Sequence, residues 1–301
     1  MKLIFKNLSL TLTGLFTMIS VTTVLASDNS YTLDTKVCPS IPQKILVIDQ
    51  KSGWWAGDGG DFGLNLMNAW KVACEGVINF EYRHRTYGNG SYTGGNFGSF
   101  GSQVNEPTDD GEFPKDPWNT YSQIWLLSGG EADSVDLRTT TKLWKRYQSG
   151  ISKSGANIFI GGGFGNVYHA NALTNALGLG SMFIADREAH EYPTPSSGVN
   201  ATAYIKREDK LNTMHPLFEG VDQLVGDLQV GSYKMVSDHL TTSSSIQILT
   251  NNPLGKPVIG IVKRETQKMI FDAGVHRTYG ILAGEKGTLR YLQNIAVVLA
   301  K

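Results

Sequence analysis

The segment Asn157-Ile158-Phe159-Ile160-Gly161-Gly162-Gly163-Phe164-Gly165 carries an apolar strand directly into a glycine-rich turn. Glycines permit tight backbone geometry and let the next helix pack close to the strand. The turn has the form of a nucleophile elbow, in which glycines flank a strained central residue, but the central residue here is Gly163. An ordinary strand-to-helix turn is the alternative interpretation.

Three other apolar segments place this turn in a sheet. The run from Ile45 to Asp49 lacks the alternation of a half-exposed strand, which predicts a central parallel strand. Residues 123–127 form a second buried-type strand that leads into Ser128, and residues 268–272 form a late strand that precedes His276. Because helical segments alternate with these strands, the sequence predicts a doubly wound, mostly parallel α/β sheet. Ligands of such sheets bind at the carboxyl ends of the strands.

In this order the segments resemble the class I glutamine amidotransferase-like superfamily, over residues 45–301. That family has a flavodoxin-like fold with an L-S-G-G loop for the oxyanion hole, a G-x-C-x-G elbow and a late H-x-E pair. Gly163 stands here at the position of the cysteine, and His276 is followed by Thr278 at the position of the acid. The resemblance therefore implies a degenerate member without glutaminase activity, since a thioester needs a sulfur nucleophile and an oriented base.

The preferred functional hypothesis is a pseudoenzyme that binds a small molecule, carbohydrate or peptide at the vestigial edge. Tryptophan and backbone glycine surfaces there suit stacking and close approach. The predicted ligand-binding residues are Trp54, Trp55, Gly129, Gly130, Glu131, Gly162, Gly163 and Phe164. Because the turn is expected to lie outside the core, added bulk at position 163 should block a ligand and leave the fold largely intact.

Two other functions stay open. In a hydrolase, Ser128 or an activated water would be the nucleophile and His276 the base, although Ser128 also fits a structural Ser-Gly-Gly turn. A purely structural or assembly role needs only the fold. No cofactor or metal site is predicted, because the six histidines are scattered and the acidic loops match no calcium motif.

The first 26 residues have the pattern of a secretory signal peptide. Lys2 and Lys6 precede an apolar stretch with interspersed Ser and Thr, which ends at Val24-Leu25-Ala26. A membrane anchor is the alternative, but the apolar run is shorter than the about 20 residues of a spanning helix. The sequence thus predicts a secreted or periplasmic protein with no membrane attachment after cleavage, and an extended lead-in over residues 27–44.

The charge balance argues against nucleic acid as a partner. The chain has 27 basic and 27 acidic residues, and loss of Lys2 and Lys6 with the signal peptide would leave a formal charge of −2. Such a chain has no basic footprint. The oligomeric state is left open.

Three further features complete the predicted organisation. Cys38 and Cys74 are the only cysteines, so an oxidising compartment favours one disulfide between them, with two buried thiols as the alternative. Residues 87–118 are predicted to form a long loop rich in glycine and aromatic residues. Such a loop is either functional, with aromatic side chains that pack or bind a ligand, or disordered. Residues 182–209 are predicted to form a β-hairpin insertion.

Overall fold

The computed structural model describes residues 23–26, 29–49, 64–84, 117–129, 141–163, 167–186, 202–206, 212, 214–228, 238–278 and 287–300. The strands are, in chain order, β1 (Thr23–Ala26), β2 (Asn29–Thr32), β3 (Gln43–Asp49), β4 (Ile78–His84), β5 (Gln123–Gly129), β6 (Asn157–Gly163), β7 (Phe183–Ile184), β8 (Thr202–Lys206), β9 (Gln223–Leu228), β10 (His239–Leu240), β11 (Gln247–Asn251), β12 (Pro257–Lys263) and β13 (Lys268–Asp272). The α-helices are α1 (Leu64–Ala73), α2 (Thr141–Lys153), α3 (Tyr168–Ala176) and α4 (Thr288–Val298).

Seven of the described strands form one sheet, in the order β4, β3, β5, β6, β13, β12, β11. The first five are parallel to one another. β12 runs antiparallel to β13, and β11 runs antiparallel to β12. In chain order the parallel strands are arranged 2-1-3-4-5, which is the flavodoxin-like doubly wound order. The predicted α/β class with a mostly parallel sheet is therefore confirmed.

The central strands are apolar because both of their faces are covered. Ile124, Trp125, Leu126 and Leu127 of β5 have no exposed surface, and every residue of β6 is buried. A parallel sheet covered on both sides needs such uninterrupted apolar strands. The sequence pattern and the burial therefore agree at the strands that lead to the predicted site.

The helices form two layers. On one face, the ring of Trp70 in α1 lies 6.0 Å from the ring of Trp125. On the same face, the Gln123 side chain donates to the Ala296 carbonyl of α4 at 2.8 Å. On the other face, a Cβ built on Gly162 would lie 3.1 Å from the Cβ of Ala170 in α3, and α2 packs against α3. Residues along β5 therefore alternate between the α1/α4 face and the α2/α3 face.

Polar side chains at the amino ends of β5 and β6 donate hydrogen bonds to backbone carbonyls at the carboxyl-terminal end of α4. The Asn157 amide donates to the Leu299 carbonyl at 2.7 Å, and its oxygen accepts from the Lys268 amide at 2.8 Å. The last carbonyls of a helix have no partners within the helix. Asn157 and Gln123 supply partners for them, which explains why these two polar residues are buried.

The lead-in segment packs against the domain. Cys38 and Cys74 form a disulfide, as predicted, and this joins the segment to the end of α1. Leu33 is buried in the core. The backbone of Asp34 exchanges two hydrogen bonds with the side chain of Gln293 in α4, at 3.3 and 3.0 Å. These contacts connect residues 33–38 to both helices of one face.

In the described part of residues 182–209, the two strands β7 and β8 do not pair with each other as the predicted β-hairpin would require. β7 pairs with β10, and β8 pairs with β9, in each case antiparallel. Each described strand of the segment therefore finds its partner far along the chain, which local turn patterns do not reveal.

The amino-terminal strands β1 and β2 also pair with each other, on either side of the predicted cleavage point. The predicted signal peptide up to residue 22 and most of the predicted loop over residues 87–118 lie outside the described residues. Within the described portion, no helix has the length and hydrophobicity to cross a bilayer.

Candidate functional site

The carboxyl ends of three neighbouring strands meet at one edge, as the sequence predicts. In the register of β5 and β6, Ser128 pairs with Gly162, and Gly129 pairs with Gly163. The end of β13 lies beside them, because Asp272 pairs with Gly161 of β6. The sheet therefore brings together the ends of segments that lie about 35 and 110 residues apart in the chain.

Gly163 occupies a position at which a side chain does not fit. Its φ is +149°, and a Cβ built on its backbone would lie 2.6 Å from the carbonyl oxygen of Ala273. Real Cβ atoms essentially never approach a backbone atom so closely. The glycines predicted to form a turn, Gly161 to Gly163, are instead the last three residues of β6. The expectation that bulk at position 163 leaves the fold intact is also wrong, because this end of β6 packs against the backbone that follows β13.

Gly162 also leaves room for a neighbouring group, which here is a side chain and not the backbone. A Cβ on Gly162 would lie 2.8 Å from a ring atom of Phe183. A Cβ on Gly161, by contrast, would make only ordinary contacts, at 3.5 Å or more. The three consecutive glycines thus differ: the second and third are required by packing, and the first is not.

His276 lies in a 3-10 turn (Val275–Thr278) directly after β13 and is only 5% exposed. Its Nε2 lies 3.0 Å from the carbonyl oxygen of Gly226 in β9. Burial lowers the pKa of His276 to about 3, and the charge of Arg277 adds to this effect. The imidazole is therefore neutral at ordinary pH, and Nε2–H donates to the carbonyl.

Thr278, which stands at the family's acid position, does not orient this ring. Its hydroxyl donates to the Val275 carbonyl at 2.6 Å, inside the same 3-10 turn. The His276 ring and the Thr278 hydroxyl stand where the family that the sequence resembles has its histidine and acid. Here each of them donates to a backbone carbonyl.

Next to His276, a buried ionic network joins the edge to β9. Arg277 has no exposed surface; it forms an ion pair with Asp272 and donates to the carbonyls of Val225 and Gly226. Gly274 makes this possible, because a Cβ there would overlap the guanidinium group. The guanidinium therefore fastens the β8–β9 pair to the main sheet.

The Asp272 carboxylate accepts from three donors: Arg277, the Gly274 amide at 2.7 Å and the Tyr291 hydroxyl at 2.8 Å. Burial raises the pKa of Asp272, while the Arg277 charge and these hydrogen bonds act in the opposite direction. Burial and the neighbouring carboxylate raise the pKa of Tyr291 well above its ordinary value. The network is closed, since every group in it has partners of matching polarity.

Ser128 lies at the end of β5 with no exposed surface. Its hydroxyl has no hydrogen-bond partner among the residues that the structure describes, so it is not bonded to His276. Paired residues of neighbouring strands share a face, which puts Ser128 with Gly162 on the α2/α3 face. Asp272 shares the opposite face with Gly161. The sheet thus separates the Ser128 side chain from the carboxylate that anchors Arg277.

Most of the other predicted ligand-binding residues fall beyond the part of the chain that the structure describes. Five of them lie outside the described residues, namely Trp54, Trp55, Gly130, Glu131 and Phe164. Gly129 lies at the last position of β5, where it pairs with Gly163. Across the described ranges, no group of three His, Cys, Asp or Glu residues is arranged to hold a metal ion.

Sequence reasoning missed the roles of Asp272, Arg277 and Tyr291. The signal in the sequence was an acidic residue at the end of an apolar strand, followed five positions later by an arginine. Charged residues are almost never fully buried unless they are paired. An acid in a buried strand therefore predicts a buried cation, and Arg277 was the neighbouring candidate.

No protein-family model matches the chain, and no curated protein matches it. Among solved structures, it is similar to the crystal structure of a candidate GMP synthase subunit from Thermoplasma acidophilum. The TM-score is 0.41 at 9% sequence identity, and the match covers 85% of this chain and 95% of the other. At this level of similarity, no residue role passes from that protein to this chain.

Proposed function

We propose that this chain is an exported amidotransferase-like protein that lacks glutaminase activity and binds a ligand at the carboxyl edge of its sheet. The observation that supports the lack of glutaminase activity is the geometry of Gly163. An elbow nucleophile needs a side chain at this position, and the Ala273 carbonyl occupies the space that its Cβ would need.

The surroundings of His276 support the same conclusion. A general base needs a free nitrogen within reach of the proton that it takes, and a pKa near the working pH. The Nε2–H of His276 donates to a backbone carbonyl, so Nδ1 is the nitrogen that could take a proton, and burial lowers the pKa of the ring to about 3, far below the working pH of such a base. The alternative hydrolase with Ser128 as nucleophile would also need a contact between this ring and Ser128, whose hydroxyl is not bonded to it.

Ligand binding is supported by the convergence of strand ends. In an open α/β sheet, the crevice beyond the carboxyl ends is where ligands bind, and β5, β6 and β13 end side by side here. The predicted Trp54 and Trp55 follow β3 in the chain, which is the next strand of the same sheet. We propose that these loops contact a small molecule, carbohydrate or peptide.

Export is supported by two features. The amino-terminal pattern is that of a signal peptide. The disulfide between Cys38 and Cys74 suits an oxidising compartment, where such bonds form and persist.

The catalytic part is tested by glutamine hydrolysis. The purified mature protein is incubated with glutamine and, separately, with an electrophilic glutamine analogue, and ammonia release and protein mass are measured. We expect neither turnover nor a covalent adduct, and a Gly163→Cys variant should not gain activity. Turnover by the native protein would overturn the proposal, and an active glutaminase serves as the positive control.

The binding part is tested by a ligand panel. Sugars, short peptides and small acids are screened by thermal shift against the native protein, and hits are measured by calorimetry. A Trp54→Ala variant should bind such a hit more weakly while its melting temperature without ligand stays nearly unchanged. A ligand that binds with the same affinity to the native protein and to variants with substitutions at the carboxyl edge would contradict this location for the site.

A further inference from the structure

Ser128 presents a buried hydroxyl that the described part of the chain leaves without a hydrogen bond. Buried polar groups nearly always have a partner, and an exception calls for an explanation. Other buried or half-buried serines of this protein follow the rule. The Ser122 hydroxyl accepts from the Lys44 amide at 3.0 Å, and the Ser154 hydroxyl donates to the Ile151 carbonyl at 2.8 Å. Ser128 thus differs from its counterparts at a position that the fold class associates with ligands.

The direction of this hydroxyl follows from the strand register. Ser128 pairs with Gly162, so both residues face the same side of the sheet. The Cβ direction of Gly162 leads to Ala170, whose Cβ would be 3.1 Å away. Ala170 belongs to the first turn of α3, which also packs against β5. Ser128 therefore faces the amino-terminal end of α3.

The amino-terminal end of α3 favours negative charge. This helix has nine residues, and its N-cap, Val167, offers no side-chain hydrogen bond to the first amides. A helix amino terminus carries a partial positive charge and amides that point outward. The first turn contains no acidic residue, and the nearby carboxylate of Asp272 lies on the opposite face of the sheet. A bound anion would therefore meet a donor hydroxyl and a favourable dipole on this face.

We propose that the Ser128 hydroxyl and the first turn of α3 bind the carboxylate group of a small acid. This inference rests on the proposed function and names the chemical class of its ligand. The side chains of Phe183 and Ala170 lie so close to Gly162 that a Cβ there would be only 2.8 and 3.1 Å from them. The space on this face is therefore narrow, and a flat carboxylate needs less room beside Ser128 than a tetrahedral phosphate. The hydroxyl donates to the carboxylate, and the helix amides supply the other donors.

The test measures the melting temperature of the mature protein with acetate, with its neutral isostere acetamide and with inorganic phosphate, at constant ionic strength. Acetate should raise the melting temperature in a saturable manner, whereas acetamide should not. Ser128→Ala should bind acetate about tenfold to a hundredfold more weakly, since it loses one hydrogen bond to a charged group. Ser122→Ala is the matched control, because this variant loses a satisfied hydroxyl and should keep the acetate effect.

Several outcomes would overturn the inference. Acetate stabilisation that persists unchanged in Ser128→Ala, or equal effects of acetate and acetamide, would each do so. A merely structural Ser128 would change the melting temperature of the variant by the same amount with and without acetate. If Ser128→Ala does not fold, Ser128→Thr, which keeps the hydroxyl, and Ser128→Cys provide the comparison. If neutral sugars or peptides bind at the edge while small acids do not, the proposed function stands and this inference falls.

Discussion

Lowering the pH should destabilise this protein through His276. In the unfolded chain the imidazole has its ordinary pKa of about 6.5, whereas burial lowers the pKa in the folded state to about 3. Below about pH 6.5, the unfolded state therefore takes up a proton that the folded state does not. The contribution to stability is fully present above that pH and is lost as the pH falls toward about 3.

The size of the effect follows from the separation of the two pKa values. Each pH unit between them is worth about 1.4 kcal/mol in the free energy of unfolding. At about pH 4.5, two units below the unfolded pKa, the loss through His276 alone should be roughly 3 kcal/mol. That is a large part of the about 5–15 kcal/mol by which most domains are stable.

Urea unfolding at about pH 7, 5.5 and 4.5 measures this loss, with His276→Gln as the matched variant. Glutamine can still donate to the Gly226 carbonyl and does not titrate. The pKa of His215 is also lowered, by burial and by the charge of Lys263, and this residue is present in both proteins. The native protein should lose roughly 3 kcal/mol more than the variant between about pH 7 and 4.5. Equal pH slopes would refute a buried neutral His276.

Three further predictions concern packing, the cross-link and the buried charge. Gly163→Ala should lower the free energy of unfolding by at least about 1–3 kcal/mol, from backbone strain and the contact with a carbonyl, whereas Gly161→Ala should be tolerated. Equal denaturation midpoints for these two variants would contradict the packing argument. Peptide mapping without reductant should show Cys38 joined to Cys74, and the double serine variant should lose roughly 3–4 kcal/mol. Arg277→Met should cost about 3–5 kcal/mol in urea unfolding, because it leaves a buried carboxylate unpaired; a loss below about 1 kcal/mol would show that the pair is not buried in solution.

The strands of the central sheet were predictable from the sequence. Fully covered parallel strands require uninterrupted apolar residues, and the runs that begin at Ile45, Ile124 and Ile158 have this property. The disulfide partners were equally accessible, since they follow from a count of two cysteines. The end of β6 was not, because the glycines that predict a turn, Gly161 to Gly163, continue the strand and pair with β5. The partners of β7 and β8 were not, because a short strand carries no signal for a partner that lies tens of residues away.

For the site, the sequence determined which chemical groups reach the carboxyl edge: a serine, consecutive glycines, an aspartate and a histidine at the ends of three strands. The tertiary structure alone decided what those groups do there. Strand register sends Ser128 and Asp272 to opposite faces, and the packing of the β8–β9 pair supplies the Gly226 carbonyl that accepts from the His276 ring. These outcomes depend on contacts between segments far apart in the chain, so no local pattern of residues contains them.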